Sequence, residues 1–327
     1  MRRDNIGDLV CTTPLFRALR EKFPDAVIAA YVNSYNLPVL EGNPDVNAIH
    51  AYTKAKHRAR GTSLLALYWR RARQLLALRA EHFDDIIIAE PGYAPRLVRL
   101  ARLLAPGRVV GFARDDGAAR GLDIAVKRQA DRPLHETEDV FRLLHAYGID
   151  TAPPAPRIVA RAREVASENS VPVVGLHISA RKPSQRWPAE NFVALARQLH
   201  RDYGVKLKLF WSPGDERNPL HPGDDAKAQA ILSRLEDVPI EAIATPTLRI
   251  LIDALAQCDT VICSDGGAMH LAAGLGKPIV CFFGKSDAVR WRPWGVPYEL
   301  LQKPSHEVAD ISVEEAVAAC TRIAKRQ

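Results

Sequence analysis

At 327 residues the chain is longer than one hydrophobic core usually fills, so two domains are expected. With 47% hydrophobic and 25% charged residues it reads as globular, and no apolar run is long enough to span a bilayer or to serve as an export signal. Five scattered cysteines without a CxxC pair indicate neither a zinc site nor a disulfide framework and fit a reducing cytoplasm, while the net charge of +7 suits an anionic partner.

Helical and strand patterns alternate along the chain, which argues for parallel sheets built from βα units. The first half reads as helix 12–23, strand 27–32, helix 63–80, strand 85–89, helix 94–104, strand 109–112 and helix 136–147. Only Met1-Arg2-Arg3 precedes the first turn, where a strand is expected, so a start some residues upstream is anticipated. The proline run Thr151-Ala152-Pro153-Pro154-Ala155-Pro156 reads as the linker between a domain over 1–152 and one over 153–327. Beyond it, strands are expected at 173–178, 206–211, 240–243, 260–263 and 279–283, with helices at 189–203, 225–235, 247–257, 268–275 and 313–325. Two doubly wound α/β domains bounding a cleft follow, with ligands beyond the carboxyl ends of the strands.

The most informative stretch is Ser264-Asp265-Gly266-Gly267-Ala268-Met269-His270. It follows an apolar run and opens a helix, the layout by which α/β proteins aim unpaired backbone N–H groups at a phosphate. Gly266 and Gly267 have no Cβ to hold a diphosphate off the backbone, and Asp265 and His270 add hydrogen-bonding side chains. The other reading is an ordinary buried turn. Near the start, Asp8 of Asp4-Asn5-Ile6-Gly7-Asp8 is either a helix N-cap or a general base, working alone because no histidine lies nearby in sequence. The loop 177–188 crowds Arg181, Lys182 and Arg186 with the hydroxyls of Ser179 and Ser184, a set that suits a diphosphate, and Trp187 anchors it by packing. Glu216, just past the strand 206–211, is either part of a surface turn or a carboxylate for ribose hydroxyls.

Absences narrow the chemistry. Lys285-Ser286 lacks the glycine spacing of a P-loop, no GxGxxG follows an early strand, no GxSxG elbow occurs, and there is no Asp-x-Asp to carry a divalent metal. Between Asp45 and Glu81 no acid occurs, while Lys54, Lys56, Arg58, Arg60, Arg70, Arg71 and Arg73 do. This is either a solvated face or a docking surface for a phosphorylated lipid or acidic sugar. Nucleic acid is disfavoured because no recognised nucleic-acid-binding signature is present.

Taken together, these blocks resemble glycosyltransferase family 9, the bacterial ADP-heptose:lipopolysaccharide heptosyltransferases. The likeness rests on Ile6-Gly7-Asp8 with Thr13-Pro14, on Arg186-Trp187-Pro188 with Asn191-Phe192, and on Gly214-Asp215-Glu216. Above all it rests on the Ser264 block with Gly276-Lys277-Pro278 and Phe283-Gly284. The resemblance implies a GT-B fold: two Rossmann-like doubly wound domains facing a central cleft, the first binding acceptor and the second the nucleotide sugar. The last helix is then able to pack back on the first domain. It also implies inverting, metal-independent transfer without a cofactor. Asp8 matches the family's proposed base, and Ser179, Lys182 and Arg186 fall in its phosphate-binding loop. Glu216 falls at the ribose, Thr247 near the nucleotide base, and Asp265, Gly266, Gly267 and His270 at the diphosphate and sugar. Two departures stand out: Gln185 replaces a common Lys, and Gly266-Gly267 stands where Ser-Gly or Thr-Gly is common.

The expected activity is therefore transfer of heptose from ADP-L-glycero-β-D-manno-heptose to an anionic lipid-linked acceptor of the lipopolysaccharide core. The enzyme would be cytoplasmic and peripheral on the inner face of the bacterial inner membrane, with Lys54, Lys56, Arg58 and Arg60 facing the acceptor. The alternatives are the same fold acting on another nucleotide sugar, and a non-catalytic sugar-nucleotide-binding protein.

Overall fold

Parallel strands separated by helices build both halves of the chain, because short β-branched runs alternate with longer amphipathic ones. A computed structural model describes residues 1–52, 64–129, 133–161, 171–218 and 222–326 and divides into two units, Met1–Pro154 and Ala155–Gln327.

In the first unit, β1 (Ala29–Asn33) pairs in parallel with β2 (Ala48–Tyr52), and β3 (Asp85–Ile87), β4 (Arg108–Phe112) and β5 (Ile124–Val126) form a second parallel sheet. Residues 1–3 lie between the two sheets. The Arg2 amide donates to the Tyr31 carbonyl at 3.1 Å, and the Met1 carbonyl accepts from Ala89 at 3.0 Å. The resulting order, β2-β1-(1–3)-β3-β4-β5, is that of a doubly wound sheet.

Helix α1 spans Ile6–Lys22 and so begins earlier than the expected 12–23, with Gly7 and Pro14 inside it. Pro14 has no N–H for the Val10 carbonyl, and the Thr13 hydroxyl donates to that carbonyl instead, at 2.8 Å. Helices α2 (Leu64–Ala80), α3 (Pro95–Leu103) and α4 (Glu136–Phe141) complete the unit, the last continuing as a 3₁₀ helix, Arg142–Tyr147. A cavity of 840 Å³ in this unit is lined along β1 and β3, from Ile28 and Asp85 to Val32 and Ala89, with Leu15 and Phe16 of α1.

The second unit holds one six-stranded parallel sheet. Its strands are β6 (Val173–His177), β7 (Lys206–Trp211), β8 (Ile240–Ala244), β9 (Thr260–Ser264), β10 (Ile279–Phe283) and β11 (Tyr298–Gln302). They run in the order β11-β10-β9-β6-β7-β8. Around them lie α5 (Ala189–Tyr203), α6 (Asp225–Leu232), α7 (Leu248–Ala256), α8 (Gly267–Gly274), the short α9 (Ala288–Trp291) and α10 (Val313–Ala324). The last helix, α10, packs on α5, β10 and β11 of its own unit.

Trp187 is 1% exposed and lies against Phe192 and Phe282, with ring centroids 4.9 and 4.8 Å away. Its indole N–H donates to the Ile311 carbonyl at 2.8 Å, so one side chain ties the 179–186 loop to the core. No disulfide joins the five cysteines, and burial pushes Cys11, Cys258 and Cys320 up to about 12. Cys263 and Cys281 are raised by burial too. Trp187→Ala is expected to destabilise this unit by about 3–5 kcal/mol in urea unfolding, the range for a large aromatic lost from a core; a loss under about 1 kcal/mol would contradict the anchoring role.

Candidate functional site

In the second sheet the winding reverses between β6 and β9, the neighbours from which the chain departs in opposite directions. Their register pairs Leu176 with Ile262 and His177 with Cys263, so both strands end at the same level. The 179–186 loop and the Asp265-Gly266-Gly267 turn therefore leave the sheet side by side. The loops after β7, β8 and β10 end on the same edge because all the strands are parallel.

Gly266 has φ +154°, a conformation that L side chains rarely adopt, and a Cβ built there would meet nothing within 4 Å. It is the N-cap of α8, and among the described residues no side chain caps that helix. The first N–H groups of α8 thus lack the Ser, Thr or Asp partner that usually covers them, and they carry the positive end of the helix dipole. Such an end suits an anion when charged and polar side chains converge on it.

They do converge. Gln185 donates from Nε2 to Asp265 Oδ2 at 2.7 Å and to Ser286 Oγ at 3.1 Å, joining the loops after β6, β9 and β10. Gln185 is buried, so the residue standing where the family often has Lys acts here as a cross-brace. Gly284 lets the third loop approach: a Cβ there would lie 2.5 Å from the Ser184 carbonyl oxygen. Burial raises the Asp265 carboxyl above its usual range, opposed by the Ser286 hydroxyl, the Lys182 charge and the Gln185 amide.

Ser179 Oγ accepts the Ser212 amide at 2.9 Å, linking the loops after β6 and β7. Arg186 donates from Nε to the Ala180 carbonyl at 3.1 Å, and Lys182 is exposed. His270 is buried on α8, its ring edge-on to Trp291 at 6.0 Å. Thr247 is the N-cap of α7, its hydroxyl accepting the Ile250 amide at 3.3 Å. Glu216 lies in an exposed turn beyond β7. The structure thus ties together the elements carrying Ser179, Arg186, Asp265, Gly266, Gly267 and His270, and leaves Glu216 and Thr247 on neighbouring loops of the same edge. Lys227 of α6 is a member that sequence reading missed: its ammonium donates to the Ile178 and Trp187 carbonyls at 3.2 and 2.7 Å. A lone lysine in a short alanine-rich helix carries no local signal for such a contact.

In the first unit Asp8 is 7% exposed and stands in the first turn of α1, where its Oδ2 accepts the Asn5 amide at 3.0 Å. Asn5, not Asp8, is the N-cap. Nor does Asp8 stand alone. Arg2, 2% exposed, places Nη2 2.9 Å from Asp8 Oδ1, 2.6 Å from Glu136 Oε1 and 3.4 Å from Asp4 Oδ2. Nη1 of Arg2 donates to the Ala89 carbonyl. Burial and the adjacent Glu90 carboxylate raise Asp4 to about 7, against the pull of Arg2. These groups lie at the carboxyl end of the stub 1–3 and next to β3, where the first sheet reverses its winding. Lys54, Lys56, Arg58 and Arg60 fall outside the described residues, whereas Arg70 and Arg73 are exposed on α2. Among the described residues no helix is long and apolar enough to cross a membrane.

The profile of glycosyltransferase family 9 (heptosyltransferase) matches residues 72–318. Lipopolysaccharide heptosyltransferase 3 of Escherichia coli is 26% identical over 304 residues, covering 88% of this chain and 83% of that protein. Among solved structures, a family 9 glycosyltransferase from Veillonella parvula aligns with TM-score 0.78 at 20% identity over 100% of this chain and 96% of its own. The E. coli ADP-heptose lipopolysaccharide heptosyltransferase II aligns with TM-score 0.74 at 18% identity, covering 100% and 99%. The fold is of the GT-B class, with two Rossmann-like units, and the protein is a glycosyltransferase. The chain belongs to glycosyltransferase family 9.

Asp265 supplies a test of the site's strain. A carboxyl whose folded pKa exceeds its unfolded value costs stability once ionised; the cost is absent below the unfolded value and grows as pH rises through the folded one. Asp265→Asn keeps an acceptor for Gln185 and should raise the thermal midpoint at neutral pH, the gain vanishing in acid below about pH 4. An equal loss of stability at both pH values would contradict this.

Proposed function

We propose that this protein transfers heptose from ADP-L-glycero-β-D-manno-heptose to an anionic, lipid-linked acceptor of the lipopolysaccharide core, with inversion and without a metal. Similarity to proteins named as heptosyltransferases, one of them for ADP-heptose, supports this choice of sugar and donor. One contrast carries the reading. The helix at the first switch point, α1, has its N-terminus covered by the Asp8 carboxylate, whereas α8 at the second opens on Gly266 with no side-chain cap. A base belongs at the first and a diphosphate at the second.

In this reading Asp8 accepts the proton of the acceptor hydroxyl as its oxygen attacks the anomeric carbon. The bond from that carbon to the diphosphate breaks, and ADP leaves with the electron pair. The N–H groups of α8 and the cations Arg186 and Lys182 offset the charge on the departing diphosphate. Ser179 braces the phosphate loop, Glu216 holds the ribose, Thr247 approaches the base of the nucleotide, and Asp265 and His270 hold the heptose. Arg2 fixes the rotamer of Asp8, leaving lone pairs on both oxygens to accept the incoming proton. The basic segment with Lys54, Lys56, Arg58 and Arg60 faces the phosphorylated acceptor, and the enzyme works peripherally at the cytoplasmic face of the inner membrane. The uncharged Gln185 favours one alternative, another nucleotide sugar on the same fold.

Asp8→Ala is expected to lower kcat by about 10²–10⁴-fold, as for loss of a general base, with the donor KM little changed. Steady-state assays with ADP-heptose check this, and turnover equal to wild type would remove Asp8 as the base. Thermal stabilisation by ADP-heptose exceeding that by UDP- and GDP-sugars is the expected outcome of a donor screen; the reverse order would assign another donor.

A further inference from the structure

Lys227 sits where the two ends of the 179–186 loop come together. Its Nζ donates to the carbonyl of Ile178, which enters the loop, and to that of Trp187, which leaves it. The ammonium lies 5.0 Å from the centre of the Phe192 ring, the same ring that packs against Trp187. Position and charge therefore converge on the loop that presents Ser179, Lys182 and Arg186.

We infer that Lys227 is a positioning residue for the donor diphosphate: it clips the base of the phosphate loop shut and places a positive charge there. The inference rests on the donor reading proposed above and adds to it a residue on α6 that touches the loop rather than the substrate. A neutral side chain in this place would leave two carbonyl oxygens without their donor and would let the loop ends part. It would also remove one cation from the field that draws a diphosphate.

The electrostatic surroundings agree. Burial lowers the Lys227 ammonium to about 8, with the Arg186 charge acting in the same direction and Asp224 and Glu190 opposing it. His177, the other titratable group beside it, is pushed down to about 4, first by burial and then by Lys227, and is neutral at physiological pH. Lys227 is protonated below about 8 and loses its charge as pH rises above it. An arriving diphosphate favours the protonated form.

The test is calorimetric binding of ADP to the full-length wild type, Lys227→Met and Lys227→Arg, with steady-state kinetics on ADP-heptose. Lys227→Met should bind ADP about tenfold more weakly and raise the donor KM to match, with kcat within about twofold; Lys227→Arg, which keeps charge and donors, should recover most of the affinity. Wild-type affinity for Lys227→Met, or an arginine variant as weak as the methionine one, would overturn the inference while leaving the donor reading intact. A wild type that does not bind ADP would overturn both. If the methionine variant does not fold, the wild type carries the test alone: its ADP affinity should fall between about pH 7 and pH 9, and a flat profile would overturn the inference.

Discussion

The reversal of winding between β6 and β9 is the constraint on which the second unit's chemistry depends. Neighbouring parallel strands whose following segments leave in opposite directions cannot both cover the space beyond their carboxyl ends. At this place the chain puts residues able to use that space: a glycine with positive φ, an uncapped helix, and a carboxylate braced by Gln185 and Ser286. The arrangement is held from below. Trp187 fastens one loop to the core, Gly284 lets another loop touch it, and Ser179 joins a third. Rigidity of this kind keeps donors aimed at a charge before it develops, which is where electrostatic stabilisation is most effective.

The first unit solves a different problem, that of holding a carboxylate in place without exposing it. Arg2 is almost entirely buried and is balanced by Asp8, Glu136 and Asp4 together with the Ala89 carbonyl. Burying such charges is costly, and removing one partner of a buried pair is costlier still, about 3–5 kcal/mol, because the remaining charge stays desolvated. The cluster is thus more persuasive as a device for orientation than as a source of stability. It also explains why Asp8 belongs to the first turn of α1, where the helix dipole and the Asn5 amide favour a negative charge.

Much of the frame was legible because buried parallel strands are written as short apolar runs. The expected bounds of β7 and β10 coincide with Lys206–Trp211 and Ile279–Phe283, and those of α5 with Ala189–Tyr203. The edge strands β2 and β11 escaped notice because Ala48–Tyr52 and Tyr298–Gln302 are half-buried and mix polar with apolar residues. The early part of α1 escaped because Gly7 looks like a turn residue; Pro14, inside the expected 12–23, is accommodated where a threonine hydroxyl takes up the carbonyl it leaves without a partner. At the site, strand–glycine–helix motifs announce themselves locally. The bond from Gln185 to Asp265 and the ion pairs from Arg2 to Glu136 join residues far apart in sequence, and a single chain carries no local trace of them.

The distribution of thiols has a practical consequence. Thiolate is the species that attacks alkylating reagents, so sulfhydryls sealed in the core and raised by burial stay silent until the surrounding structure opens. Of the buried thiols, Cys11 belongs to the unit Met1–Pro154, and Cys258, Cys263 and Cys281 belong to the other, which also holds the half-buried Cys320. Peptide-resolved alkylation over time therefore records the opening of each half separately, without an introduced label, and tells whether the halves breathe together or apart.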